Sequence, residues 1–161
     1  MKAVLGLKSF WLMKSEPSCY SIDDLKNDKK EMWDGVRNYQ VRNMMRDDMK
    51  KGDRAFFYHS NAGNETGIVG EMEVVSKAYP DPTQFDKKNE HFDPKSEKDN
   101  PRWSCVDVKF IKKFPAVIRL SELKLDPKLS GMPVLKKGNR LSVMPISKKH
   151  YEYIIELSKE K

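Results

Sequence analysis

The sequence predicts an α+β protein: a small mixed sheet closing into a barrel, with short helices around it. Three observations lead there. Five or six short runs have strand character, the helical stretches between them are brief, and strands and helices do not alternate in the βαβ rhythm of a doubly wound sheet. The 161 residues fit one domain, long enough for a hydrophobic core without disulfides, and contain no internal repeat.

FWLMK (10–14) is an apolar run between polar residues and reads as a buried strand. SEPS turns the chain, and SIDDLKND opens with Ser21 three residues before Asp24, the spacing of a capping box, so a short helix follows. From Asn38, the apolar residues Val41, Met44, Met45 and Met49 recur at helical spacing until Lys50, Lys51 and Gly52 stop the helix. DRAFFYHSN is a dense aromatic strand, and GIVGEMEVVSKAYP a second strand paired with it across the loop NAGNETG. Residues 80–102 hold four prolines and few core candidates; a loop of that length in a small domain is functional or mobile. WSCVDVKFIKKF (103–114) alternates Val106, Val108 and Phe110 inward with Asp107 and Lys109 outward, and AVIRL (116–120) adds a further short strand. After a brief helical turn in SELKLDPKL, RLSVMPIS makes the last strand. SKKHYEYIIELSKE is then a terminal helix with Tyr151, Ile154, Ile155 and Leu157 on its apolar side, plugging or flanking the barrel.

Composition narrows the partner. The formal net charge is +7 and 34% of residues are charged, against about 25% in ordinary domains. A basic excess favours a polyanion, whose counterions are released on binding; a lysine-rich solvated surface is the even alternative. Aromatic residues, 10% of the chain, give such a partner faces to stack on. The two cysteines, Cys19 and Cys105, make no C-x-x-C unit, and His59, His91 and His150 have no metal-ligand spacing. The apolar run at 3–7 is broken by Lys8, shorter than a signal peptide requires, and no segment matches a membrane helix, so an intracellular soluble protein is expected.

No catalytic motif emerges. His59 and Ser60 are neighbours on a strand and point to opposite faces. Asp23–Asp24 and Asp47–Asp48 fit a helix start and a polar helix face better than an acid–base pair. Nucleophile elbows, phosphate loops and dinucleotide fingerprints are missing. A general base at His59 or Glu16 would be the enzyme alternative.

Binding has better material in WDGVRNYQVRNMMR (33–46). Aromatic faces (Trp33, Tyr39, Tyr58, Trp103) hold a planar base, Asn38, Asn43, Ser15 and Ser60 offer edges to its hydrogen bonds, and Arg37, Arg42, Lys14 and the 87–98 lysines offer cations. Each has a plainer reading: Trp33 and Tyr39 as core, His59 as a satisfied core histidine, Arg37 and Arg42 paired with Asp34 and Asp47. The Arg-Asn pairs at 37–38 and 42–43 lie about 140° apart on a helix. The arrangement that brings both near an anion puts the first in the cap and the second in the first turn.

These segments together resemble a known family. FWLMKSEP, WDGVRNYQVRN, FFYHSN, GIVGEMEVV, AYPDPTQFD, FDP, NPRWSCVDVKF and LSVMPIS are similar to the EVE domain, and within it to the thymocyte nuclear protein 1 family. The resemblance divides the chain into an extension (1–9), a single EVE domain (10–158) and a tail (159–161). It implies a PUA-like mixed β-pseudobarrel of five to six strands surrounded by short helices. It also implies a reader, without catalytic residues, cofactor or metal, that flips a modified cytosine of DNA into a pocket. The alternative partner is RNA. No membrane is implied, and a monomer in nucleus or cytoplasm is expected. Carried onto matching positions, the pocket comprises Lys14, Ser15, Glu16, Trp33, Val36, Arg37, Asn38, Asn43, Tyr58, His59, Ser60 and Trp103, with phosphate contacts from Lys14, Arg37, Arg42, Lys87 and Lys88.

Overall fold

The computed structural model describes residues 8–160. The run at 3–7, most of the expected extension at 1–9 and the last residue of the tail lie outside the described residues.

Central strands form where the sequence is apolar on both faces. β1 (Phe10–Ser15) pairs in parallel with β3 (Arg54–His59), from Phe10↔Arg54 to Ser15↔His59. Alternate residues of the two strands enter two different buried clusters. Trp11, Met13, Ala55 and Phe57 face one; Leu12, Phe56 and Tyr58 face the other. β4 (Gly67–Val74) lies antiparallel to β3, and β6 (Ser104–Arg119) to β4. β2 (Lys30–Trp33) closes one side of the seven-stranded sheet against β6, β7 (Val143–Ile146) the other against β1, and the two-residue β5 (Tyr79–Pro80) also pairs with β6. Trp33 of β2 and Val143 of β7 stand at opposite ends of the strand order yet enter one buried cluster, so the sheet curls round a common interior.

The helices are short. Ser21 and Asp24 form the expected capping box of α1 (Ile22–Asp28), with the Ser21 Oγ accepting from Asp24 N at 3.1 Å and the Asp24 carboxylate from Ser21 N at 2.8 Å. The predicted long helix from Asn38 is α2 (Tyr39–Asn43), five residues, continued by a π-helical turn at Met44–Asp48. Val41, Met45 and Met49 are buried as predicted, whereas Met44 is half-buried at the edge. After α3 (Leu120–Leu125), the terminal α4 (Lys148–Lys159) flanks the sheet and does not plug it. Its buried stripe is Tyr151, Ile154 and Ser158, with Ile155 and Leu157 half-buried, and the Tyr151 ring stacks on Phe56 at 4.0 Å on the outer face.

Three boundaries differ from expectation. KEMW is short and half charged and carries no strand signal of its own; pairing with β6, Trp33↔Val106 at its end, makes it a strand. The segments 103–114 and 116–120 are one strand starting at Ser104. Pro115 is tolerated because the register shifts between Ile68↔Ile118 and Gly70↔Lys113, where no ladder N–H is needed from it. Gly70 at that shift permits close approach: a Cβ there would lie 2.4 Å from the Lys112 carbonyl oxygen. The strand from Gly67 ends at Val74, not at residue 80.

The 80–102 segment is built on buried polar groups. Gln84 donates through Nε2 to the carbonyl oxygens of Asp81 (2.6 Å) and Trp103 (2.8 Å), while its Oε1 accepts from Ser96 Oγ and Trp103 N. Asp81, fully buried, accepts from Gly35 N, Arg37 Nη1, Thr83 N and Thr83 Oγ1. A polar residue enters a core when every donor and acceptor is matched, and here they are.

Candidate functional site

Three stretches meet at one end of the curled sheet around a cavity of about 600 Å³. Lys14 and Ser15 come from the end of β1, with Cys19 and Tyr20 from the turn after it. Glu31, Met32, Trp33 and Asp34 come from β2 and its exit, and Lys88, Asn89, Glu90 and His91 from the long loop. The volume falls in the range of small-ligand pockets.

Each wall has its own support. Ser15 Oγ donates to the Tyr20 carbonyl at 2.7 Å and so holds the turn of SEPSCY. Tyr20 OH donates to Asp28 at 2.7 Å; burial first, then that bond and the surrounding carboxylates, push its pKa upward. Trp33 is only 8% exposed and its ring stands nearly perpendicular to that of Phe57, with centroids 5.4 Å apart, so it belongs to the core and to the cavity wall at once. Gly35, at φ +79°, sits under the His91 ring, where a Cβ would lie 2.7 Å from Nε2. Arg37 fastens the loop wall, donating to the His91 carbonyl from Nε (3.0 Å) and Nη2 (2.6 Å), to Asp81, to Thr83 Oγ1 and to the Val36 carbonyl.

The rim carries two lysines against three carboxylates, with His91 beside them, so the cavity itself is not a cationic well. Burial lowers the pKa of Lys14, whose ammonium lies 5.7 Å from the Tyr58 ring centroid. Partial burial, then the charge of Asp81, raises the pKa of Asp34, which keeps an exposed face, while His91 pulls the other way. Burial also works against Asp81's charge, but bonds from Thr83, Gly35 and Arg37 outweigh it and keep its pKa low.

Among the residues singled out from the sequence, Lys14, Ser15, Trp33 and Lys88 line this cavity. The others support it or lie elsewhere. Val36 is buried core, and Tyr58 faces the outer cluster. Asn38 caps α2, its Oδ1 accepting from Val41 N at 3.0 Å, which puts residues 37–38 in the cap as expected. Asn43 Oδ1 accepts from Arg42, whose Nη1 also donates to the Arg102 carbonyl at 2.7 Å. Arg37 pairs with Asp81 and not Asp34, and Asp47 pairs with Arg46 and not Arg42. Trp103 stacks on Tyr39 at 4.7 Å, lies under Arg37 and donates from Nε1 to Asp93 at 2.7 Å, tying α2 to the loop instead of lining the cavity. Ser60 N donates to the Ser15 carbonyl, Asn61 Nδ2 donates to Glu16, and Lys87 is exposed on the loop.

His59 faces a second groove. Its Nε2 accepts from Ile22 N at 3.1 Å, and the groove's charged side chains include the ion pairs Asp23–Lys113 and Glu65–Arg119.

The sequence reading missed Cys19, Tyr20, Glu31, Met32, Asp34, Asn89, Glu90 and His91. WDG itself carried a usable signal: an aromatic followed by a turn glycine, with a carboxylate between them. Nothing local marked 88–91. Among the described residues no group of three or more His, Cys, Asp or Glu could hold a metal, and no helix is long and apolar enough to cross a membrane.

A curled mixed sheet with short helices around it and a partly aromatic cavity at one end is a fold of the PUA-like class. The family model of the EVE domain matches residues 9–157, and the chain belongs to the EVE domain family. Human thymocyte nuclear protein 1 is 53% identical over 130 residues, covering 74% of this chain and 57% of that protein, so the chain spans little more than half of that relative. A hypothetical protein from Leishmania major has a similar solved structure, with a TM-score of 0.91, 46% identity and 96% coverage of both chains. Human THYN1, solved in complex with 5-methylcytosine-containing DNA, matches with a TM-score of 0.87 and 43% identity, over 96% of this chain and 99% of that one.

Proposed function

We propose that this chain reads a modified base, methylated cytosine in DNA, by receiving the flipped base in the cavity beside Trp33. The observation that carries the reading is that Trp33 is locked in the core by Phe57 yet walls an open cavity. A rigid aromatic face at an opening is what a flipped base stacks on; each such contact is worth about 1–3 kcal/mol and offsets the few kcal/mol of unstacking. The similarity to human THYN1 solved with 5-methylcytosine DNA supports this ligand.

Phosphates are met by the exposed Lys88 and Lys87 and by Lys14 at the rim; Arg37 and Arg42 act as scaffold, since their guanidinium groups already bond within the protein. The domain binds and does not catalyse. Of the two general-base candidates, His59 is engaged by a helix start facing another groove, and Glu16 by Asn61. A nuclear site of action accords with the name of the curated relative.

A competition assay at fixed salt tests the reading. It uses duplexes carrying cytosine, 5-methylcytosine or 5-hydroxymethylcytosine, with a matched RNA alongside. Tightest binding to one modified DNA, lost in Trp33→Ala, supports it. Equal, salt-dependent binding to all of them overturns it, and preference for the RNA replaces DNA by RNA as the target.

A further inference from the structure

We propose that Asp34 accepts the exocyclic amino group of the bound cytosine and thereby rejects thymine. This rests on the reading of the cavity given above. Thymine has the same ring and the same methyl group as 5-methylcytosine, so stacking on Trp33 and apolar contact with the methyl treat the two alike. They differ at position 4, an amino donor in cytosine and a carbonyl acceptor in thymine, and at the proton of N3. A hydrophobic wall discriminates poorly between such analogues; a polar group aimed at the difference discriminates well.

The cavity's side-chain acceptors are few and mostly engaged. Ser15 Oγ is turned to the Tyr20 carbonyl, Asn89 Oδ1 accepts from His91 N at 2.8 Å, one Glu31 oxygen accepts from Met32 N at 2.8 Å, and one oxygen of the exposed Glu90 lies 3.5 Å from His91 Nε2. Asp34 differs. Among the described residues no side chain and no other residue's backbone donates to its carboxylate, and it stands exposed among the lining residues directly after Trp33. Its position is nonetheless held: Gly35, in the left-handed region at φ +79°, donates its N–H to buried Asp81 at 2.8 Å. A fixed backbone therefore presents an acceptor whose capacity is open.

The test is a competition between two oligonucleotides identical but for one base, 5-methylcytosine or thymine, each opposite an abasic site so that unpairing costs match. The wild-type chain is expected to favour 5-methylcytosine by about ten- to a hundredfold, the discrimination of one good base-edge contact. In Asp34→Asn, whose amide also donates to a carbonyl, and in Asp34→Ala, the ratio falls towards one while the thermal midpoint holds. A ratio unchanged in both variants, or no wild-type preference, overturns the assignment. Trp33→Phe separates the two readings. If it weakens both ligands while the Asp34 variants leave their ratio intact, only the Asp34 role fails; if neither position affects binding, the cavity reading fails with it.

Discussion

Arg37 holds the main-chain oxygen of His91 with two nitrogens, at 3.0 and 2.6 Å, across 54 residues of sequence. The contact turns a long polar loop into a wall of the cavity. It also explains why an arginine beside the proposed base pocket is unavailable to phosphate.

Arg37→Ala should therefore loosen the loop before it changes any charge effect on binding. It removes the loop's clasp and one of the donors to buried Asp81. A loss of about 2–4 kcal/mol is expected, below a fully buried pair because Arg37 is partly exposed and Thr83 and Gly35 still serve Asp81. Denaturant unfolding and protease cleavage at Lys87 and Lys88 measure it. Unchanged stability with uncut lysines refutes the clasp.

The two tryptophans should separate. Trp33→Phe keeps the fold and weakens base binding. Trp103→Phe loses the Nε1 bond to Asp93, costs about 1 kcal/mol of stability, and affects binding less. Titrations of both variants against 5-methylcytosine DNA decide it; equal losses contradict the division of roles.

His59 gives a pH dependence of known sign. Burial lowers its pKa, against the pull of Asp23 and Asp24 and with the help of Lys113, and its Nε2 must stay unprotonated to accept from Ile22 N. The folded state then binds fewer protons than the unfolded one. The stabilisation is complete above the unfolded imidazole pKa of about 6.5 and is lost as the pH falls from there through the lowered folded value. Urea midpoints at pH 7.5 and 5.5 should differ more in the wild type than in His59→Gln. Equal differences would remove His59 from the account.

Phosphate contacts should appear in the salt dependence. Lys88→Ala and Lys87→Ala are each expected to lower the slope of log K against log salt by about 1, whereas Arg42→Ala leaves it unchanged. A slope that drops for Arg42→Ala and not for the lysines would reverse the assignment.

Local chemistry suffices for several of these features. FWLM and AFFY are apolar at consecutive positions, so they must be covered on both faces, and strands between two buried clusters do this. The Ser21–Asp24 box closes within four residues and was readable for that reason. Trp33 and its neighbours stood out as a binding stretch because aromatic, amide and cationic side chains are concentrated there.

Other features depend on partners far along the chain. KEMW becomes a strand only beside β6, and Asp81 and Gln84 enter the interior only because Gly35, Arg37, Thr83, Ser96 and Trp103 satisfy them. Trp33 and Trp103 carry the same chemistry in sequence, yet the pairing of β2 turns one towards the cavity while Tyr39 and Asp93 hold the other away from it. Hydrophobic pattern and capping act within a few residues and are written in order along the chain. Which polar groups are buried, and which aromatic face is left open to a ligand, follow from long-range hydrogen bonds that exist only once the sheet has curled.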